Sequence, residues 1–257
     1  TMNRPQALNA LPTAMVARIT PALQAWAADP AVDVVVLDAV GDRALCAGGD
    51  VMSLYNARSE GSGAAREFWS TEYCLDAMIG RYPKPFVALQ DGIVMGGGIG
   101  LSGHASHRIV TERSMLAMPE TGIGLIPDVG GTWLLGHVPG NVGIYLGLTG
   151  ARMTGADAIF ARFADTFVPS ERLPSLKQAL IDGGAAGLDA AIVAHAAPTP
   201  ESKLAAMAVG LDRDFAGATV EEIFAALGVS PTPSAASMLA DLKTKSPRSL
   251  KVTLAAI

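Results

Sequence analysis

Apolar positions recur in two rhythms along this chain, and the change between them divides it. Met15, Ile19, Leu23 and Trp26 fall on one helix face, a core stripe that Asp29-Pro30 terminates. Residues 32–37 form a β-branched run without alternation, which predicts a strand buried on both faces. After a turn at Gly41-Asp42, residues 45–51 (L-C-A-G-G-D-V) place glycines directly behind a strand. Residues 57–63 are polar and read as a mobile loop. The spacing over 64–79 predicts a helix, with Phe68, Leu75 and Ile79 on its apolar face and Glu67 and Glu72 polar. Tyr82-Pro83-Lys84-Pro85 ends that helix and feeds a second buried strand over 85–89. Two short strands, 108–111 and 115–118, join at Glu112-Arg113. Strand and helix therefore alternate through the first half, the signature of an α/β layered core.

Past residue 150 the rhythm turns helical and alanine-rich. Residues 155–161, 171–181, 185–194, 202–209, 220–227 and 234–242 are amphipathic, with one more strand at 165–168. Residues 197–200 and 229–233 are linkers, and there is no internal repeat. The expected organisation is a core over 1–170 and a helical C-terminal region over 171–257.

Two stretches carry candidate chemistry. Residues 91–103 (D-G-I-V-M-G-G-G-I-G-L-S-G) follow the strand at 85–89 and lead into a helix. Amides at a helix start lack partners within it and carry partial positive charge, which suits a carbonyl oxygen that becomes anionic during reaction. For an isolated glycine cluster a tight turn, backbone packed on backbone, is the better reading, and context must overturn it. Gly98, Gly100 and Gly103 also satisfy G-x-G-x-x-G, but residues 91–97 separate them from the strand and Glu112 comes too early, so a dinucleotide site is not expected. Residues 118–133 (M-P-E-T-G-I-G-L-I-P-D-V-G-G-T-W) set Glu120 and Asp128 among Ile, Leu, Val and Gly. Carboxyls in such surroundings have raised pKa values and suit proton transfer. The alternative of equal weight is structural, with Asp128 capping a helix and Glu120 in an ion pair.

Composition narrows the class. With half of its 257 residues apolar and 17% charged, the chain has the make-up of a packed globular protein. A net charge of −5 argues against a general nucleic-acid surface. Cys46 and Cys74 are too few for a disulfide framework, which makes a reducing compartment, the cytoplasm, the default location. The chain opens at T-M-N-R-P, in what reads as mid-strand, so a mitochondrial targeting segment ahead of it stays open. No apolar run reaches membrane-helix length. Cys46 reads as a small buried residue, and the four histidines show no metal-ligand spacing. No metal site is expected.

Taken in order, the N-R-P-Q-A-L-N-A-L stretch of residues 3–11, the C-A-G-G-D loop of 46–50, the M-G-G-G turn of 95–98 and the P-E…G-G-T stretch of 119–132 resemble the crotonase (enoyl-CoA hydratase/isomerase) superfamily. Each motif is modest alone; the ordered set is specific. The resemblance implies a β/α spiral core with a helical C-terminal region, an acyl-CoA thioester substrate and a homo-oligomer, a trimer or hexamer. It puts the two oxyanion N–H groups on Gly49 and Gly97, and lines the coenzyme A path with Asp50 and the backbone of Ala7 and Leu8. Coenzyme A belongs to the substrate, and no other cofactor is implied.

A typical hydratase of this superfamily carries two glutamates. Gly100 stands where the first belongs, and Glu120 supplies the second. The stretches G-I-G-L-S, F-W-S-T-E-Y, P-E-T-G-I-G-L-I-P-D-V-G-G and S-P-R-S-L-K-V-T-L resemble the 3-hydroxyisobutyryl-CoA hydrolase subfamily. That resemblance implies thioester hydrolysis, with Glu120 and Asp128 catalytic and Glu72 and Gly97 contacting substrate. Gln6 departs from a lysine common in the opening motif, and the subfamily continues past Ile257. Competing readings are an enoyl-CoA isomerase or hydratase of the same superfamily, and a non-catalytic acyl-CoA or RNA-binding relative.

Overall fold

A computed structural model describes residues 1–56 and 63–257. The polar loop expected at 57–63 lies outside the described residues except for Gly63. Short apolar runs separated by glycine turns give strands of two to five residues, and the chain passes back and forth between two four-stranded sheets. The first holds β1 (Val35–Leu37), β3 (Phe86–Gln90), β5 (His107–Val110) and β8 (Thr166–Phe167) in that order, all parallel. The second holds β2 (Ala44–Cys46), β4 (Ile93–Met95), β6 (Met115–Ala117) and β7 (Met153–Thr154), with only β7 antiparallel. Each turn of the chain leaves one strand in each sheet, the spiral expected of a crotonase. The step from β3 to β4 is made at Gly92, whose φ of +74° and closeness to the Arg43 backbone (a Cβ would sit 2.6 Å from its carbonyl) exclude other residues.

Helices close each turn: α1 (Thr13–Ala28) before β1, α2 (Val51–Asn56) and α3 (Gly63–Ile79) after β2, and α4 (Gly97–Gly103) after β4. α5 (Gly131–Gly136) and α6 (Val142–Thr149) follow β6, and α7 (Gly155–Phe160) joins β7 to β8. Two sequence expectations need correction here. Trp26 is 43% exposed, because Val16 and Leu23 provide the fully buried face of α1. Glu72, expected on the polar side of α3, is 2% exposed and shares its buried face with Phe68 and Leu75.

The long α8 (Leu173–His195) covers the first sheet, packing Leu176, Leu180 and Leu188 on Val87, Leu89 and Ile109. It kinks at Gly184, which is why the sequence reads as two helices there. α9 (Lys203–Asp214), α10 (Val220–Val229), α11 (Ala235–Leu242) and α12 (Pro247–Ala256) pack into the same core as the spiral. Phe163 from the spiral and Phe215 from the C-terminal region are both fully buried in it, each worth about 1.5–3 kcal/mol. Polar ties link the layers. Asp157 of α7 accepts from Ser202 Oγ (2.8 Å) and the Leu204 N–H (2.9 Å). Ser246, whose hydroxyl caps α12 by accepting from the Ser249 N–H, donates its own N–H to the Thr121 carbonyl at 3.1 Å. The C-terminal helices thus brace the loop that carries Glu120. Among the described residues no helix is long and apolar enough to cross a membrane.

Candidate active site

The opening motif folds locally first. Residues Pro5–Ala7 form a 3-10 turn that Leu8 ends with φ +51°. Asn9, 1% exposed, accepts from the Arg4 N–H (2.7 Å) and donates to the Ala44 carbonyl (2.8 Å), clamping this turn to β2. The Leu8 carbonyl then accepts from the Ala47 N–H at 3.0 Å, and the Leu11 N–H donates to Gly48 at 2.8 Å. These bonds fix the loop that presents Gly49. Asp50 ends it: its carboxylate accepts from the Ser53 N–H (3.1 Å) at the start of α2 and pairs with Arg4 (2.8 Å). Burial pushes the Asp50 carboxyl up, but Ser53 and Arg4 outweigh it and hold the group below its ordinary value. Asp50, Ala7 and Leu8 are not among the residues that line the cavity at Gly49.

The second loop is anchored from below. Gln90 at the end of β3 donates to Ser102 Oγ (3.0 Å), which donates to the Gly98 carbonyl (2.7 Å), so the start of α4 is tied to the first sheet. Gly96 precedes it with φ +49° and ψ −118°, a conformation open only to glycine. The absent Cβ of Gly97 would lie 3.2 Å from the Gly49 nitrogen. The two glycines, from separate loops, therefore meet, and among the described residues neither amide donates a hydrogen bond. Both line a cavity of about 380 Å³ that Gly48, Gly96, Phe68, Trp69 and Leu125 also line.

Three carboxyls line the same cavity. Glu120 opens a 3-10 turn (Glu120–Ile123), is 6% exposed, and has Oε2 buried without a partner. Its other oxygen would sit 2.8 Å from a Cβ on Gly96, so the glycine turn and the acid fit only as a pair. Burial pushes its carboxyl up to about 8, with the charges of Asp128 and Glu72 adding to burial and its own backbone N–H opposing it. Glu72 of α3 places Oε1, also buried and unpartnered, against Gly97, and burial together with Asp128 pushes it up to about 8. Asp128 accepts a 2.7 Å bond from the Tyr73 hydroxyl, and burial raises it despite that bond. Neither structural alternative for these acids is found. α5 has no side-chain cap, and no cation pairs with Glu120 among the described residues.

The other candidates are quiet. Cys46 is fully buried, and burial pushes its thiol up to about 12. His104, His137 and His195 each bond a backbone carbonyl, and His107 sits beside Asp189. Among the described residues no cluster of His, Cys, Asp or Glu is arranged to hold a metal ion.

Gly100 also finds its physical reason. A Cβ there would fall 2.8 Å from both carboxyl oxygens of Asp76 and from the Val129 side chain, so an acid from α3 fills the space next to α4. The sequence reading missed Asp76 and the Tyr73–Asp128 bond. The available signal was Asp76 standing four residues after Glu72, on the face of α3 that carries Phe68, Leu75 and Ile79.

Chemically, two free amides at one end of an apolar cavity stabilise an oxyanion, and buried acids beside them attack, or move protons, at the carbon that bears it. A family model described as enoyl-CoA hydratase/isomerase matches residues 1–257. The mitochondrial 3-hydroxyisobutyryl-CoA hydrolase of Xenopus tropicalis is 42% identical over 263 residues, covering 98% of this chain and 68% of that relative. The solved structure of a carnitinyl-CoA dehydratase from Mycobacterium thermoresistibile superposes with a TM-score of 0.94 at 46% identity, over 98% of this chain and 73% of that one. That of an enoyl-CoA hydratase from Rhodobacter sphaeroides 2.4.1 gives 0.91 at 48% identity, with the same coverage.

Proposed function

Because the chain belongs to the enoyl-CoA hydratase/isomerase family, the crotonases, we propose that it is an acyl-CoA thioester hydrolase acting on 3-hydroxyisobutyryl-CoA or a similar short hydroxyacyl-CoA. The observation that carries this reading is the Glu120 carboxyl, buried and unpaired, in the cavity that Gly49 and Gly97, with their free amides, also line. The thioester oxygen sits against those amides, which hold the negative charge of the tetrahedral intermediate; losing one such donor costs ~100- to 1,000-fold in rate. Glu120, as carboxylate, attacks the carbonyl carbon to give a mixed anhydride, or takes the proton of an attacking water. Both routes expel a thiolate, whose conjugate acid has a pKa near ~8.5, so no strong acid is required at the leaving sulfur. Asp128, oriented by Tyr73, positions water or Glu120, and Glu72 accepts the hydrogen bond of the substrate hydroxyl. Coenzyme A passes the loop that Asp50, Ala7 and Leu8 hold in shape.

The names of the curated relatives support hydrolysis, and the packing of Asp76 against Gly100 supports it further, since no side chain at position 100 has room to serve as a second glutamate. A second reading, hydration or dehydration at the acyl chain, is favoured by the names of the two solved structures. A free-thiol assay over a panel of hydroxyacyl-CoA and enoyl-CoA esters separates them. Hydrolysis liberates CoA, whereas dehydration leaves the thioester intact and produces the ultraviolet band of an unsaturated thioester. Glu120→Gln is expected to bind acyl-CoA as the wild type does and to lose turnover ~100-fold or more. Wild-type rates of thiol release from that variant would overturn the mechanism.

A homo-oligomer, trimer or hexamer, is part of this proposal, and light scattering measures it. The Xenopus relative carries the word mitochondrial in its name and the two bacterial structures do not, so both compartments read from the sequence stay in the proposal.

A further inference from the structure

Asp76 is the one carboxyl among the described residues with both oxygens buried and without a hydrogen-bond partner. It is 4% exposed, one helical turn after Glu72 on the same face of α3, where residues four apart lie roughly 5–6 Å apart at Cβ. Opposite it α4 offers only the bare Gly100. A carboxyl placed so costs stability and gains no bond, which calls for a role outside packing. Its second neighbourhood supplies one. Asp76 also lines an open groove of about 850 Å³ whose other walls include Tyr73, Arg81, His104 and Trp133. Asp128 lines both this groove and the reaction cavity, so the Tyr73–Asp128 pair stands at the partition between them.

Hydrolysis of a thioester at neutral pH turns water and the ester into a carboxylate and a thiol and leaves one proton over for each turnover. That proton starts on Glu120, which takes it from water directly or holds it after the anhydride is opened. We propose that Asp76 passes it outward: the proton left in the reaction cavity reaches Asp76 by way of Glu72 or Asp128, and the Asp76 carboxyl, buried at rest, turns about its side-chain bonds toward the groove its residue lines and gives up its own proton to water there. No bond other than O–H forms or breaks, and the carboxyl returns to its starting state. Burial, with the charges of Glu72 and Asp128, holds the group protonated at rest, pushed up to about 9. The titratable and charged groups around it are Glu72 and Tyr73 on α3, Arg81 just after that helix, Cys46 on β2, His104 after α4, and Asp128 on the loop before α5. Asp76 acts through Glu72 and Asp128 and is a positioning residue, not a catalytic one. The inference rests on the hydrolase reading above.

Asp76→Asn keeps the shape and removes the exchangeable acid. Its thiol-release kcat is expected to fall about tenfold, short of the ~100-fold or greater loss of a directly acting acid or base, with KM within about twofold of wild type. Small buffer bases that accept the surplus proton, such as formate or neutral imidazole, are expected to restore kcat in the variant as their concentration rises, and to leave the wild type unchanged. Wild-type kcat in Asp76→Asn, or a loss that no buffer base restores, overturns the relay. If Asp76→Asn does not fold, Asp76→Ser takes its place. If that also fails to fold, the solvent deuterium isotope effect on wild-type kcat replaces the variants, and its absence overturns the proposal. A wild-type protein that releases no thiol refutes the hydrolase reading instead, a separate outcome.

Discussion

Gly97→Ala offers the sharpest test of the two convergent amides. The new methyl carbon would lie 3.2 Å from the Gly49 nitrogen and 3.5 Å from the Glu72 carboxyl carbon, with Glu72 Oε1 closer still. An oxyanion needs to sit roughly 2.7–3.1 Å from each donor, so the methyl takes the position of the substrate oxygen. Losing one donor costs about 100- to 1,000-fold in kcat, equivalent to about 2.7–4 kcal/mol of transition-state stabilisation, and losing both costs more. Stability moves little by comparison. The atom that must yield most is Glu72 Oε1, the far end of a side chain, so the displacement falls on one rotamer more than on the backbone. Thiol release, measured with the melting temperature on the same preparation, therefore separates chemistry from folding. Gly122→Ala is the control, since a Cβ there meets nothing within 4 Å, and its activity should be unchanged. A Gly97→Ala protein that folds normally and works within about threefold of wild type would mean that these amides do not bind the oxyanion.

Further outcomes follow from the same geometry. Glu120 must be ionised to attack or to accept a proton, so kcat/KM should rise with pH and level off above about 8; a flat profile across that value contradicts the assignment. Stability should run the other way. Glu72 and Glu120 keep protons in the fold that the unfolded chain has released, so the stability they contribute is full below about 4.5 and is lost as pH rises through 8. Glu72→Gln should flatten that fall in urea melts, by a few kcal/mol at the alkaline end. Asn9→Ala should destabilise the protein by about 2–3 kcal/mol and raise KM for acyl-CoA, because it removes the clamp behind the Gly49 loop and strands the Ala44 carbonyl; an unchanged urea midpoint would show that the clamp is dispensable.

What residues 1–257 determined without coordinates was local. β-branched runs bounded by glycine and proline specify short strands wherever they fold, and helical periodicity specifies α3 and the alanine-rich helices after residue 150, because both follow from backbone sterics and burial of one face. The ordered motifs around Gly49, Gly97, Glu120 and Asp128 named the loops that meet at the cavity. Small helices escaped: α2 and α6 are only six and eight residues long, and α6 is apolar on nearly every side, so periodicity has nothing to register. The raised carboxyls of Glu120 and Asp128 were legible in their apolar sequence surroundings, but tertiary structure alone decided those of α3. A sequence presents Glu72 and Asp76 as ordinary acids on a helix; only the approach of α4, bare at Gly97 and Gly100, strips them of water without supplying partners. Trp26 shows the converse, a large apolar residue at a core spacing that the described residues leave 43% exposed. Proximity along the chain sets dihedrals and faces, whereas desolvation depends on what packs from the other side, and that comes from residues far away in sequence.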